Sequence, residues 1–336
     1  MKIIIPMAGM GKRMRPHTLT VPKPLIPVAG KPMVQRIVED LAKLSPDKIE
    51  EIAFITGHFG KEVESSLIKI ADDLGAKSKI YYQEEPLGIA HAILCAEESL
   101  HGKILIAFAD TLIIPDENAK FDTTNDGIIW VQKVADPRQF GVVRMNGEGI
   151  ITDFFEKPQT LISNLAIIGI YYFHDGASLK KELQYVIDNN MKQNGEYQLT
   201  TVLENMKNMG TKFSTAQVAE WLDCGNKDAT IHTNKRILEY YYSGQNQNGK
   251  IILQNAHVIP PCIFGENVSI IDSTVGPFAS IGNDTSIEKS VIDNCIIQNN
   301  SIIKNAELSN SMLGNFVEFS GHSFNASIGD YCIVND

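Results

Sequence analysis

From Phe264 to Phe319 an aliphatic or aromatic residue returns every five or six positions: Phe264, Ile270, Val275, Ile281, Ile287, Ile292, Ile297, Ile303, Leu308, Leu313 and Phe319. Neither the 3.6-residue period of a helix face nor the two-residue alternation of a half-buried strand gives this spacing. A chain that makes a short strand, turns a corner and repeats does give it. Each strand then points one apolar side chain inward, and three strands close one triangular coil. Eleven such faces make between three and four coils, more if the ends are degenerate. Eleven asparagines among residues 251–336 suit corners that need left-handed backbone geometry.

The fragments Phe264-Gly-Glu-Asn-Val-Ser, Val275-Gly-Pro-Phe-Ala-Ser and Ile281-Gly-Asn-Asp-Thr-Ser resemble the hexapeptide repeat of left-handed parallel β-helices. The competing reading is an ordinary antiparallel β domain. Upstream the pattern is different. Lys2–Pro6, Glu51–Thr56, Lys79–Gln83 and Lys103–Phe108 read as strands, alternating with helical patterns over Met33–Leu44, Lys61–Ala71 and Ile89–Ser99. This βαβ rhythm predicts a mostly parallel, doubly wound α/β sheet with helices on both faces. Strands at 127–133, 141–144, 150–156 and 166–173, with helices near 177–188 and 198–207, predict a mixed extension of that sheet. The polar run 243–250 marks a connector. The expected domains are therefore 1–242, a linker at 243–250, and a β-helix at 251–336.

Charge sharpens the division. Thirty basic and forty acidic residues give a net charge of −10, which argues against a protein that coats nucleic acid or an anionic membrane. Residues 251–336 hold two basic and nine acidic residues, whereas Met1–Val38 has seven basic residues and no acidic one. An anion-attracting segment thus opens the chain. No apolar run approaches the ~20 residues that span a bilayer. The short apolar start before Pro6 predicts no secretory leader. Five scattered cysteines without a CxxC pair predict a reducing, cytoplasmic setting rather than a disulfide framework or a zinc site.

The basic opening contains Met7-Ala-Gly-Met-Gly-Lys-Arg-Met-Arg-Pro-His-Thr18 and, after it, Val21-Pro-Lys-Pro-Leu-Ile-Pro27. A glycine loop after a first strand offers backbone N–H groups to a phosphate. The GxGxxG fingerprint lacks its third glycine, since position 14 is Met, and GxxxxGK[ST] is absent. Lys23 between two prolines is a cation held on a stiff stretch. Such a loop is built for a polyphosphate.

The pattern GxGxRxxP followed by PKPL resembles the signature of the sugar nucleotidyltransferases, which join a nucleoside triphosphate to a sugar 1-phosphate and release pyrophosphate. The family's usual opening reads GGxGTRLxPxT, so this chain has one glycine fewer and Lys12 where Thr or Ser is common. The resemblance covers about residues 2–240. It implies the nucleotide-diphospho-sugar transferase type of sheet. Ala8, Gly9, Gly11, Lys12, Arg13 and Lys23 would hold the triphosphate. In Tyr82-Gln-Glu-Glu-Pro-Leu-Gly88, Gln83 would read the base edge and Gly88 approach the ribose. Asp110, after Ile106-Ala-Phe-Ala, and Asp223, in Trp221-Leu-Asp-Cys-Gly225, would bind Mg²⁺. Gly141, Glu156 and Gly169 would contact the sugar, and Lys157 the sugar phosphate.

Elementary chemistry agrees with this. Nucleotidyl transfer needs charge neutralisation and alignment more than a covalent nucleophile. Arg13, Lys23, Asp110 and Lys157 are the expected catalytic groups. Each has a bland alternative: Asp110 as a helix cap, Lys157 as an exposed lysine, Asp223 as a turn residue, Trp221 as core, and Glu156 paired with Lys157 across solvent. His91 is given no task. The expected substrates are dTTP or UTP with glucose 1-phosphate; glutamine can also serve adenine, and GDP-mannose and ADP-glucose types both stay open. A non-catalytic regulatory paralogue should have lost these charged residues. An acyltransferase tail would have only His257 and His322 as bases. Self-association through the β-helix is the expected role of the tail.

Overall fold

The computed structural model describes residues 1–116, 125–244 and 246–335. Gln245, inside the connector expected at 243–250, lies outside the described residues. The chain forms two compact units, one of Met1–Gly9 and Ile37–Trp221, the other of Met10–Arg36 and Leu222–Asp336.

In the first unit, strands Lys77–Tyr82, Glu51–Thr56, Lys2–Pro6 and Ile104–Ala107 lie side by side in that order, all parallel. Ile3, Ile4 and Ile5 are all fully buried, as an apolar strand covered on both faces requires. Ile4 packs into one core with Ala90 and Ile93, Leu179 and Leu183, and Val202 and Leu203. These residues come from helices Ile89–Cys95, Gly176–Asp188 and Leu199–Asn208. Strand Leu165–Phe173 adds antiparallel to Ile104–Ala107 and starts the mixed half, pairing with Gly127–Lys133 and Gly141–Met145. Strand Ile151–Glu156 completes it against Gly141–Met145.

Helix Ile89–Cys95 is shorter than the pattern predicted. Past it the buried Ser99 hydroxyl lies 2.8 Å from the Tyr81 hydroxyl, and the chain leaves the helix in turns. Three strands were not legible in the sequence: Thr111–Ile114, Phe213–Ala216 and Glu220–Asp223. Each is four residues long, too short for an alternation to stand out.

The second unit contains the left-handed parallel β-helix. Asn246–Asn248, Cys262–Phe264, Ser280–Ile281, Ile296–Ile297, Met312–Leu313 and Ser327–Ile328 stack in one parallel ladder. Ile270, Ile287, Ile303 and Phe319 are register partners in a second ladder, and Val275 partners Ile292 in a third. All eleven residues of the five-to-six period lie in one buried core. The six-rung ladder exceeds the four coils counted from aliphatic spacing by two: the first rung, Asn246-Gln-Asn, carries no apolar residue, and the last, Ser327–Ile328, lies past the end of the counted period. Asn255, Asn267, Asn294, Asn300, Asn305 and Asn310 turn corners at φ between 45° and 58°.

One corner is built from stacked amides. The Oδ1 atoms of Asn283, Asn299 and Asn315 accept the backbone N–H of Glu266, Asn283 and Asn299 in the preceding coil, at 2.8, 2.8 and 3.2 Å. Gly265 and Gly282 make this possible, since a Cβ there would meet Asn283 Oδ1 at 2.3 Å and Asn299 Oδ1 at 2.7 Å. Among the described residues no helix is long and apolar enough to cross a membrane.

Candidate active site

The four parallel strands end at one edge of the sheet, where ligands bind in folds of this kind. Met7, Ala8 and Gly9 follow the first strand, with the Met7 N–H on the Ile55 carbonyl at 2.8 Å. Gln83 follows the strand Lys77–Tyr82, its N–H on the Thr56 carbonyl at 2.9 Å. Its side-chain Nε2 lies 3.2 Å from the Gly88 carbonyl. Gly88 has φ 117°, and a Cβ there would meet the Tyr197 carbonyl oxygen at 2.6 Å. The segment Glu196–Tyr197 is thereby laid against the loop that carries Gly88, with Ala90 N–H bonded to the Tyr197 carbonyl at 3.0 Å.

Asp110 stands in the turn closed by Thr111 N–H on the Phe108 carbonyl, at 3.1 Å. Gly169 buttresses this turn. It has φ 87° at a register shift in its strand, and a Cβ would meet the Phe108 ring at 2.6 Å. The Thr111 hydroxyl donates to the Ile168 carbonyl at 2.9 Å, and the Phe108 N–H donates to the Gly169 carbonyl at 3.0 Å. The resemblance gave Gly169 a sugar contact; the geometry also makes it the support of Asp110.

A second group gathers across an antiparallel pair in which Glu156 faces Gly141. The Thr200 hydroxyl donates to Glu156 Oε2 at 2.9 Å, and Lys157 Nζ is 3.7 Å from Oε1. Glu156 is therefore anchored by a helix residue as well as by its neighbour. A side chain at Gly141 would press on Thr200 Cγ2 at 3.1 Å and Glu156 Oε2 at 3.4 Å. Lys157 takes φ 44°, strained for a lysine, with its N–H on the Phe140 carbonyl at 3.1 Å. Glu156 and Thr200 line a cleft of about 600 Å³ with Phe154, Pro158 and Glu204. Beneath, the Tyr171 hydroxyl is held un-ionised by burial and then by the Glu156 charge.

The remaining expected residues lie in the second unit. Gly11 adopts φ 57°, and a Cβ there would meet Lys23 Cβ at 2.8 Å, so the glycine turn is folded back on Lys23. The Thr18 hydroxyl fastens it to the Gly11 carbonyl at 2.9 Å. Lys12, Arg13 and Arg15 are exposed, Lys23 is buried, and Met14 plugs the turn from below. The loop is also fastened to the β-helix: His17 Nε2 lies 3.1 Å from the Ser327 hydroxyl, and Pro16 packs against Gly329. Buried Asn234, on helix Lys227–Tyr241, accepts from Ala29 N–H at 2.8 Å and Ser280 Oγ at 2.7 Å.

Asp223 is exposed at the end of its strand, and its Oδ2 would lie 2.7 Å from a Cβ on Gly225. Gly225 thus leaves the room that the carboxylate fills. Among the described residues no three His, Cys, Asp or Glu side chains gather as a cage. Each carboxylate taken by itself, Asp110 in the first unit and Asp223 in the second, offers the hard oxygens that Mg²⁺ accepts, one or two at a time. Trp221 is half-buried and packs edge-on against Phe140 at 5.1 Å.

Sequence reasoning missed Thr200, a polar residue at the buried end of a helix, and gave His91 no role. No local signal marks either, because their partners come from other elements.

A parallel α/β sheet that brings the Met7–Gly9 segment, Gln83 and the Asp110 turn to one edge has the architecture of an enzyme whose ligands bind beyond the strand ends. Sequence comparison says which: the family described as Nucleotidyl transferase matches residues 2–240, and the chain belongs to it. The kinship with sugar nucleotidyltransferases expected from the motifs therefore holds. The chain is 29% identical to the low-salt glycan biosynthesis nucleotidyltransferase Agl11 of Haloferax volcanii, across 94% of this chain and 92% of that one. It is 27% identical to a glucose-1-phosphate thymidylyltransferase of Streptomyces antibioticus, across 99% of both chains. In fold it is similar to a UDP-glucose pyrophosphorylase solved with UDP-glucose, with TM-score 0.57 and 24% identity over 70% of this chain and 97% of that one.

Proposed function

We propose that the protein transfers a nucleotidyl group from dTTP or UTP to glucose 1-phosphate, giving a nucleotide sugar and pyrophosphate. The observation that carries the sugar-phosphate half is Glu156, pinned by Thr200 across from side-chain-free Gly141 and beside Lys157. A carboxylate held in this way accepts from sugar hydroxyls, and the adjacent ammonium suits the phosphate. Full-length similarity to a glucose-1-phosphate thymidylyltransferase supports the choice of sugar and base.

In this reading Ala8, Gly9 and Gly11 present backbone to the triphosphate, with Lys12 beside them. Arg13 offsets charge on the departing pyrophosphate. Lys23 and Lys157 lower the repulsion between the two anions brought together. Gly169 steadies the Asp110 turn and lines the sugar pocket. Asp110 and Asp223 would hold Mg²⁺, which when bound polarises the α-phosphate. The sugar phosphate is already an anionic nucleophile, so no side chain needs to take a proton.

We further assign the protein to the cytoplasm, which suits its five free cysteines. Self-association through the β-helix is supported by exposed Phe324, Tyr331 and Ile333 near its end. A sharply monodisperse monomer in light scattering at micromolar concentration would overturn the latter.

Pyrophosphate release with Mg²⁺, across all nucleoside triphosphates and a panel of sugar 1-phosphates, tests the main reading. Turnover with dTTP or UTP and glucose 1-phosphate is expected, and lost in Asp110→Asn. A preference for GTP with mannose 1-phosphate, or ATP with glucose 1-phosphate, would replace the assignment. Silence across the panel would sink it.

A further inference from the structure

This inference deepens the nucleotide reading above and rests on it. Gln83 Nε2 lies 3.2 Å from the Gly88 carbonyl oxygen and 3.2 Å from His91 Nδ1. A carbonyl oxygen can only accept, so the amide nitrogen of Gln83, not its oxygen, faces Gly88. That nitrogen is a donor, so the His91 Nδ1 beside it must accept, and the imidazole proton is on Nε2. Both Nε2 hydrogens are then used within the protein. Among the described residues nothing bonds Gln83 Oε1.

We propose that His91 is a positioning residue that locks Gln83 with Oε1 presented as the single reading atom, so that the pocket demands an N–H donor from the base. Uracil and thymine meet this demand with N3–H. Cytosine seated in the same way, with N3 opposite Oε1, cannot, because its N3 is itself an acceptor and two lone pairs would face each other. A free carboxamide would rotate to offer either its donor or its acceptor; the Gly88 carbonyl gives it a direction through one Nε2 hydrogen, and His91, by taking the second, closes off the rotation. The discrimination belongs to the pair.

The lock depends on His91 staying neutral. Protonation places a hydrogen on Nδ1, and donor then faces donor. Burial holds the His91 pKa below the ordinary histidine value, with Glu85 acting in the opposite direction. The other ionisable groups on the elements packed around it are Glu84, Glu196 and Cys95. Glu84 is tied to His58 at 3.0 Å, and Glu196 lies on the segment packed against Gly88. Cys95 donates its thiol to the His91 carbonyl at 3.3 Å and is kept protonated by burial. The lock is therefore complete at neutral pH and weakens as pH falls through the lowered His91 value.

The test is the ratio of kcat/KM for UTP over CTP, with glucose 1-phosphate, between pH 5 and 8. Wild type, His91→Phe, His91→Gln and Gln83→Ala are compared. At pH 7 His91→Phe is expected to lower the ratio about tenfold, the worth of one misoriented hydrogen bond in a desolvated site. His91→Gln, whose amide oxygen can still accept from Gln83, keeps discrimination and makes it independent of pH, while the wild-type ratio declines in acid. The ratio cancels effects common to both triphosphates, and the non-titrating His91→Gln shows what protonation of cytosine itself contributes.

An unchanged ratio in His91→Phe, with collapse in Gln83→Ala, overturns the lock and leaves Gln83 as the reader. An unchanged ratio in both removes Gln83 as the reader and the lock with it. Should His91→Phe fail to fold, ¹⁵N NMR of the wild-type imidazole decides. An Nε2–H tautomer supports the lock, and an Nδ1–H tautomer overturns it.

Discussion

The Thr20 hydroxyl donates a 2.6 Å hydrogen bond to Oδ2 of Asp330, three hundred and ten residues further along the chain. The other oxygen, Oδ1, accepts the Asn315 N–H at 2.7 Å and so ends the amide stack of the β-helix. One carboxylate thus joins the last coil of the helix to the loop that carries Lys12 and Arg13. The tail is a brace for that loop.

Replacing Asp330 by alanine should therefore be felt by one substrate. It removes three accepted hydrogen bonds, one from a backbone donor, a loss of about 1–3 kcal/mol in local order. The expected outcome in steady-state kinetics is a severalfold rise in KM for the triphosphate with little change in KM for the sugar phosphate. Equal rises in both would mean a global loosening.

His17 gives the same brace an acid limit. Burial lowers its pKa from 6.5 to about 4, with Asp330 opposing and Lys227 assisting. Its Nδ1 is buried without a partner among the described residues. The unfolded chain binds a proton near pH 6.5 that the folded chain refuses until about pH 4. Stability is thus whole above pH 6.5 and falls through that window, by up to about 3 kcal/mol. Urea unfolding at stepped pH should show this slope, and His17→Phe should flatten it.

Thr200→Val keeps the shape of the helix face but removes the donor to Glu156. About 1 kcal/mol of positioning should be lost, a fivefold rise in KM for sugar 1-phosphate. The KM for triphosphate is the control. If it rises alone, Thr200 has been misread.

Gly169→Ala must do two costly things at once, taking φ 87° and displacing the Phe108 ring from 2.6 Å. The turn holding Asp110 would shift, so kcat should fall at least tenfold and the Mg²⁺ concentration for half-maximal rate should rise. An alanine variant with unaltered Mg²⁺ dependence would show that the turn does not lean on Gly169.

Much of the fold was legible in the chain because repeated geometry writes repeated chemistry. Every coil must fill its axis, so Phe264 through Phe319 recur in phase and all are buried. The strand Lys2–Pro6 must be apolar on both faces because helices cover both, and it reads as an apolar run. Motif order placed Gln83, Glu156 and Lys157 in the chain for the same reason: short spans of backbone carry them to strand ends.

Contacts between distant segments leave no such record. Nothing near Thr20 announces Asp330, and nothing near His91 announces that a glutamine eight positions earlier turns its amide toward it. A hydrogen bond between remote residues constrains two side chains and no periodicity, so it cannot appear as a pattern. By itself the sequence determined the repeat, the alternating α/β core and the identity of the charged groups. Only the tertiary structure decided that the loop carrying Lys12 and Arg13 is braced by the last coil, that Gly169 supports the Asp110 turn, and which atom of Gln83 faces Gly88 and His91. Those are settled by close packing and hydrogen-bond direction, which exist only once the chain has closed on itself.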